Sequence, residues 1–155
     1  MLHIKLINHQ DVQIANRIYA ILLLAYEQEV TLMGIDDCPA LKDSVNEIQA
    51  RNEVFWGAFY QQELVGVLSF REHTQSAQTQ IMLLIIHPKN QRQGIAKLLL
   101  AELKRLCSTP AITVLTGSTN IPALSLYLQS DFVPYHVQPA EAPFSPLISL
   151  CWIQD

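Results

Sequence analysis

Charge is scarce in this chain, and so are long apolar runs. Only 15% of its residues are charged, against 50% apolar, which argues for a chain that buries a core rather than one that stays disordered. The net charge is −4 and there is no run of Lys and Arg, so the clustered cations that grip nucleic-acid phosphates are missing and nucleic acid is not expected as a partner. The longest apolar run, Ile18 to Tyr26, is nine residues. A membrane-spanning helix needs about 20 residues, so no membrane is expected either. The three cysteines, Cys38, Cys107 and Cys151, are odd in number and far apart. They suit a reducing compartment better than a disulfide framework or a metal site. The first residues, MLHIKLINHQDV, lack an apolar signal core, and a cytoplasmic location is expected.

What the sequence does have is a pattern of alternating strands and helices that fills its 155 residues without a repeat, a linker or a low-complexity tract. One domain is therefore expected. Leu2, Ile4 and Leu6 alternate with His3, Lys5 and Ile7, which predicts a half-buried strand. Asn8 is placed to cap a long helix from about His9 to Gln28, whose buried stripe is Val12, Ala15, Ile18, Tyr19, Leu22, Leu23 and Tyr26. A loop over 29–39 and a shorter helix over 40–51, with Leu41, Val45 and Ile48 on one side, come next.

Two apolar, aromatic-rich runs at 54–60 and 64–70 predict a hairpin. The polar stretch 71–79 predicts a turn into a strand at 80–86, IMLLII at its centre. A helix then opens near Gln91 and ends near Cys107, ahead of Pro110. A β-branched strand follows at 111–116. Asn120 caps a helix with Pro122 in its first turn and Leu124, Tyr127 and Leu128 on one face. Strands at 132–137 and 146–153 close the chain. The order β-α-α-β-β-β-α-β-α-β-β predicts a mixed α/β fold, one sheet flanked by helices.

The chemistry concentrates between the apolar strand and the long helix, in HPKNQRQGIAK. Placing Gln91, Arg92, Gln93, Gly94, Ile95 and Ala96 at the start of a helix brings free backbone N–H groups and the positive end of the helix dipole to one spot, which suits an anion. Gly94 and Ala96 carry little bulk, and Arg92 and Lys97 add charge. On spacing alone, an ordinary strand, turn and helix explains the stretch equally well.

Two stretches together narrow that choice. HPKNQRQGIAKLLL closely resembles the central motif of the GNAT family of N-acetyltransferases, and NIPALSLYLQSDFVPY looks like the motif that follows it in that family. The resemblance covers the element order of almost the whole chain and implies a mostly antiparallel sheet. It implies acetyl-CoA as co-substrate, with no metal. The pyrophosphate would lie on the amides of Gln91, Arg92, Gln93, Gly94, Ile95 and Ala96, beside Lys97. The pantetheine arm would pair with the backbone of Leu84 and Ile86 on a strand splayed from its neighbour at 111–116, as a peptide adds to a sheet edge. Asn120 would meet the pantetheine or acyl end.

Acyl transfer needs a neutral amine, a donor for the developing oxyanion and a proton for the leaving thiolate. Tyr127, near the sulfur, would supply the last as a phenol, and a backbone N–H at Ile85 or Ile86 the second. The cysteines have no part in such a reaction.

The chain departs from the family pattern at the general base. Where some relatives carry Glu, eleven residues before the motif's first Gln, this chain has Gln80, which cannot accept a proton. Glu27, Glu29, Glu72 and His73 are the substitutes to consider, each more often a plain solvated side chain. His87 is expected to shape its turn. Asp131 stands where many relatives have Gly and should alter the turn after its helix.

The acceptor, a small-molecule or peptide amine, is expected at the loops 29–39 and 138–145, which carry Glu29, Asp36, Asp37 and Glu141. A non-catalytic acyl-CoA-binding or sensing module is the alternative that Gln80 favours. A subunit that uses its sheet edge for assembly is a third reading, and a homodimer stays open.

Overall fold

The computed structural model describes residues 1–33, 44–142 and 144–155. Seven strands form one sheet in the order β1-β2-β3-β4-β5-β7-β6: β1 Leu2–Ile7, β2 Val54–Tyr60, β3 Glu63–His73, β4 Gln78–Ile86, β5 Ala111–Gly117, β6 Val133–Gln138 and β7 Leu147–Ile153. Every neighbouring pair is antiparallel except β4 and β5, which run parallel. Among the described residues four α-helices, α1 Val12–Met33, α2 Val45–Ala50, α3 Ile95–Leu106 and α4 Ile121–Gln129, complete the mixed α/β fold.

β3 is apolar on both faces because both faces are covered. Its Val67, with Leu83 and Ile85 of β4, packs under Ala15, Ile18, Leu22 and Tyr26 of α1 and Ile48 of α2. Its Leu68 and Phe70 pack with Ile81, and with Leu99, Leu100 and Leu103 of α3, in a second core that also takes Tyr127 and Phe132. β1 serves both cores: Leu2 and Ile4 lean on the second, while Ile7 enters the first. Leu6 therefore faces outward, 69% exposed, against the expectation from simple alternation.

Several boundaries shift from the sequence reading, each for a local reason. Asn8 caps no helix; its side chain accepts from Gln10 N–H, and Asp11 accepts from Gln13 N–H to cap α1 one turn later. Val12 sits at that exposed start, outside the stripe. α1 continues to Met33, so residues 29–33 are helix rather than loop. The expected loop at 34–39 and the residues 40–43 of the next helix lie outside the described residues, while Ser44 caps α2 by accepting from Glu47 N–H.

The polar stretch 71–79 is mostly ladder, not turn. Arg71, Glu72 and His73 pair with Gln80, Thr79 and Gln78, and only residues 74–77 turn, with Ala77 at φ +54°. Backbone pairing does not require apolar side chains, which is why polarity misplaced this hairpin. In α4, Tyr127 is buried but Leu128 is half exposed, since the helix meets the core along one narrow stripe. Gln91, Arg92 and Gln93 lie in the turn ahead of α3, not inside it; a short 3₁₀ turn at Pro88–Asn90 precedes them.

α3 is anchored through Leu99, which is fully buried among both strands and helices of its core. Leu99→Ala is expected to cost about 2–5 kcal/mol of stability through lost burial and the cavity left behind. A urea denaturation midpoint close to the parent's would contradict that placement.

Candidate active site

The site begins where the sheet opens. β4 and β5 pair only from Gln78↔Ala111 to Ile81↔Val114. Beyond that point β4 stays with β3 as far as Gly66↔Ile86, and β5 stays with β7 as far as Gly117↔Leu147. The two inner strands thus part and leave the last residues of β4 without a ladder partner on the β5 side.

Alternation decides which groups face that gap. His87 N–H donates to Val65 O of β3 (2.8 Å), whereas Ile86 O accepts from Gln91 Nε2 (3.3 Å) on the other side. Residues two apart on a strand direct their backbone groups the same way, so Leu84 and Ile86 face the gap and Ile85 faces β3. Of the two amides considered for the oxyanion, Ile86 is the one turned toward the opening.

The turn that follows is built from backbone. His87 accepts from Lys89 N–H through Nδ1 (3.1 Å) and so shapes the 3₁₀ turn. Arg92 at φ +61° and Gly94 at φ +82° both adopt the left-handed region. Left-handed residues alternating with ordinary ones turn neighbouring amides into a concavity that fits an anion, and a non-glycine such as Arg92 there stores strain of about 1–3 kcal/mol, a feature that clusters at ligand clamps. Gly94 also starts α3, and no side chain caps it. The first helical bond runs from Leu98 N–H to Gly94 O (3.0 Å), so the amides of Ile95, Ala96 and Lys97 ahead of it have no helical acceptor. By contrast Asn120 caps α4, accepting from Ala123 N–H (3.3 Å). A Cβ added at Gly94 would meet nothing within 4 Å; the glycine is there for its backbone conformation and the space beside it is open.

Gap, turn and α4 enclose one cleft of about 1030 Å³. Of the residues assigned from the resemblance to the cofactor and the thiolate, Leu84, Ile85, Ile86, Gln91, Arg92, Gly94, Ile95, Ala96, Lys97, Asn120 and Tyr127 line it, and Gln93 does not. α1 supplies a further wall with Glu29, one of the candidate bases, and with Ala25, Gln28 and Thr31, which the sequence reading did not single out. Gln28 and Gln91 exchange amide hydrogen bonds (3.0 and 2.7 Å), which ties the end of α1 to the turn. The positions 25, 28 and 29 share a helix face by the i, i+3, i+4 rule, but nothing in that spacing says which cleft the face meets.

Tyr127 is 5% exposed, packed edge-on against Phe132 at 5.4 Å between ring centroids. Burial, and secondarily the carboxylate of Glu29, hold its phenol well above the usual range, so it stays protonated. None of the described residues hydrogen-bonds its hydroxyl. Burial likewise pushes the Glu29 carboxyl above its ordinary value.

The other candidate bases are elsewhere. His73 Nε2 and Gln80 Oε1 meet at 2.7 Å, Glu72 accepts from Ser108 Oγ, and Glu27 is exposed; none of these lines the cleft. Asp36 and Asp37 lie outside the described residues, and Glu141 is exposed. Asp131 takes up φ +68° at the end of α4, where Phe132 N–H donates to Tyr127 O (3.0 Å). It fills a left-handed position that Asp tolerates better than most residues.

A sheet opened between its parallel strands, with an uncapped helix start at the mouth of the gap, defines an acyl-CoA-binding acetyltransferase architecture. The chain matches the acetyltransferase (GNAT) domain over residues 24–143, and it belongs to the GNAT family of acetyltransferases. It is 35% identical over 130 residues to the UPF0157 protein YqkA of Bacillus subtilis strain 168; the match takes in 83% of this chain but only 37% of that protein's length.

Among solved structures, the ribosomal-protein-S18-alanine N-acetyltransferase of Escherichia coli superposes with a TM-score of 0.75 at 14% identity, over 100% of this chain and 96% of that one. The PaiA N-acetyltransferase of Thermoplasma acidophilum, in complex with coenzyme A, superposes at 0.74 with 14% identity, over 96% and 98%. At such identities the likeness is one of fold. No helix among the described residues is long and apolar enough to cross a membrane.

Glu29 also carries a stability signature. Because the fold raises its carboxyl pKa, its contribution to stability is present at low pH and is lost as pH rises through the raised value. Glu29→Gln is therefore expected to raise Tm at about pH 8, with the gain shrinking toward about pH 5. Thermal scans at the two pH values that show no such convergence would count against the burial of an ionisable group there.

Proposed function

We propose that the chain transfers an acetyl group from acetyl-CoA to a primary amine by direct attack. The observation that carries this reading is the meeting, in one cleft, of an unpaired strand edge, an uncapped helix start in a left-handed turn and a buried phenol.

Acetyl-CoA fits the donor set. The amides at Gly94, Ile95 and Ala96, with Arg92 and Lys97 beside them, suit a pyrophosphate. Leu84 and Ile86 offer the pantetheine amides a strand edge, and Asn120 closes the far wall. The bound thioester supplies an activated acetyl group, and this chain's residues position and polarise it. Ile86 N–H is the donor for the carbonyl oxygen as negative charge develops there. Tyr127 donates to the sulfur and is the proton donor to the leaving thiolate. Its raised pKa favours a phenol that recovers its proton at once, from the ammonium formed when the amine has attacked.

The acceptor is read as a cationic small-molecule or peptide amine, approaching past the end of α1. Cys107 and Cys151 are free thiols, and with the odd number and wide spacing of the cysteines they support a reducing compartment. A binding or sensing module without catalysis is the second reading, favoured by Gln80 and by its position away from the cleft.

Two substitutions test the reading. Gly94→Glu, whose side chain would enter the open space with the wrong charge and a strained backbone, is expected to abolish acetyl-CoA binding in isothermal titration; retained affinity would sink the pyrophosphate site. Tyr127→Phe keeps the packing against Phe132, and is expected to lower kcat about 100-fold with acetyl-CoA affinity held within about threefold. Equal turnover in parent and variant, read as thiol release over a primary-amine panel, would remove Tyr127 from the mechanism.

A further inference from the structure

On the acetyl-transfer reading, we infer that Glu29, on the last turns of α1, is the general base that deprotonates the acceptor ammonium, in place of the carboxylate that Gln80 cannot supply. Gln80 sits on β4 inside the stretch that is still paired to β5 and close to His73, on the closed side of the point where the strands part. Gln80 itself offers an amide and no ionisable group.

Glu29 is the one carboxylate that the described residues place on the cleft wall. It shares that wall with Tyr127, near enough for its charge to raise the phenol's pKa. Its position is fixed from the neighbouring residue: Gln28 is tied to Gln91 by the paired amide bonds, and Gln91 in turn to Ile86 O. The base, the strand end that would hold the acyl carbonyl and the pyrophosphate turn are therefore braced as one unit. The wall also carries Arg92 and Lys97, and partial burial holds the Glu29 carboxyl above its ordinary value. That brings the carboxylate closer to the acceptor's needs, because a base is most effective when its pKa approaches the working pH.

The protons balance as follows. The Glu29 carboxylate takes one proton from the ammonium and releases it later to solvent. The neutral amine nitrogen bonds to the acetyl carbonyl carbon, the carbon–sulfur bond breaks and its electron pair leaves on sulfur. A second proton passes from the nitrogen by way of Tyr127 to the thiolate, so the products are an amide, a free thiol and one proton in solution. Near the charged Glu29 an arriving ammonium also gains an ion-pair partner, so the same residue selects cationic acceptors.

The test compares two nucleophiles. Thiol release from acetyl-CoA is measured for parent, Glu29→Gln and Glu29→Asp, first with the fastest of 2-phenylethylamine, spermidine and an alanyl peptide, then with hydroxylamine, which is already unprotonated at about pH 7. With the protonated amine, Glu29→Gln is expected to lower kcat/KM about 100-fold and to lose the acid limb of the parent's pH profile, which should lie above the ordinary carboxylate range; Glu29→Asp should recover part of the rate. With hydroxylamine the Gln variant should stay within about threefold of the parent, as should its acetyl-CoA affinity.

Equal rates with the protonated amine overturn the assignment. So does an equal loss with both nucleophiles, which would mark Glu29 as structural. A parent that binds acetyl-CoA yet releases no thiol to either nucleophile overturns the transfer reaction itself, and Glu29's role with it.

Discussion

The parting of β4 from β5 beyond Ile81 and Val114 is the constraint on which the rest of this molecule depends. Parallel strands in a continuous sheet would satisfy each other's backbone groups and leave nothing to bind. Here Leu84 and Ile86 keep N–H and C=O groups pointed into a cleft instead, at the cost of ladder hydrogen bonds that a bound chain of amides can replace. The gap is held open from both sides: β3 keeps β4, and β7 keeps β5, each along its full length. α4 and α1 then form walls that a closed sheet would not need.

The same economy governs the turn at the gap's mouth. Three of the four α-helices among the described residues begin with a side chain that accepts from an early amide, namely Asp11, Ser44 and Asn120. α3 begins at Gly94 with none, and the strained Arg92 sits two residues earlier. Unsatisfied donors and a strained non-glycine are both destabilising when nothing is bound, so their coincidence at a single turn, within a cleft, points to a ligand that offsets them. Arg92 and Lys97 add positive charge to the same wall.

Much of this was legible in the residues. Periodicity placed every strand and helix among the described residues, because the core stripes of α1 and α3 and the apolar runs of β2, β3 and β4 are long enough to be unambiguous. Errors fell where polarity and backbone pairing disagree. Arg71, Glu72 and His73 are polar yet laddered, since the hairpin continues past the edge of the core. Asn8 and Asp11 both suit a cap, and only the position of the first helical turn chooses between them. Leu6 and Ile7 were assigned to the wrong faces because β1 feeds two cores rather than one.

HPKNQRQGIAK by itself determined that an anion could sit at the start of α3, and with NIPALSLYLQSDFVPY it determined the family, because those properties depend on residue type at short spacing. Tertiary structure decided which acids and amides share the cleft with that helix start. Glu27, Glu29, Glu72 and His73 are equivalent as a list, since sequence carries no information on which helix face meets which strand end. The fold separates them: Glu72 and His73 lie with Gln80 on the closed side of the sheet, Glu27 turns to solvent, and Glu29 is half-buried on the cleft wall that Tyr127 shares. A pKa is set by neighbours that are distant along the chain, and those neighbours exist only once the chain has folded.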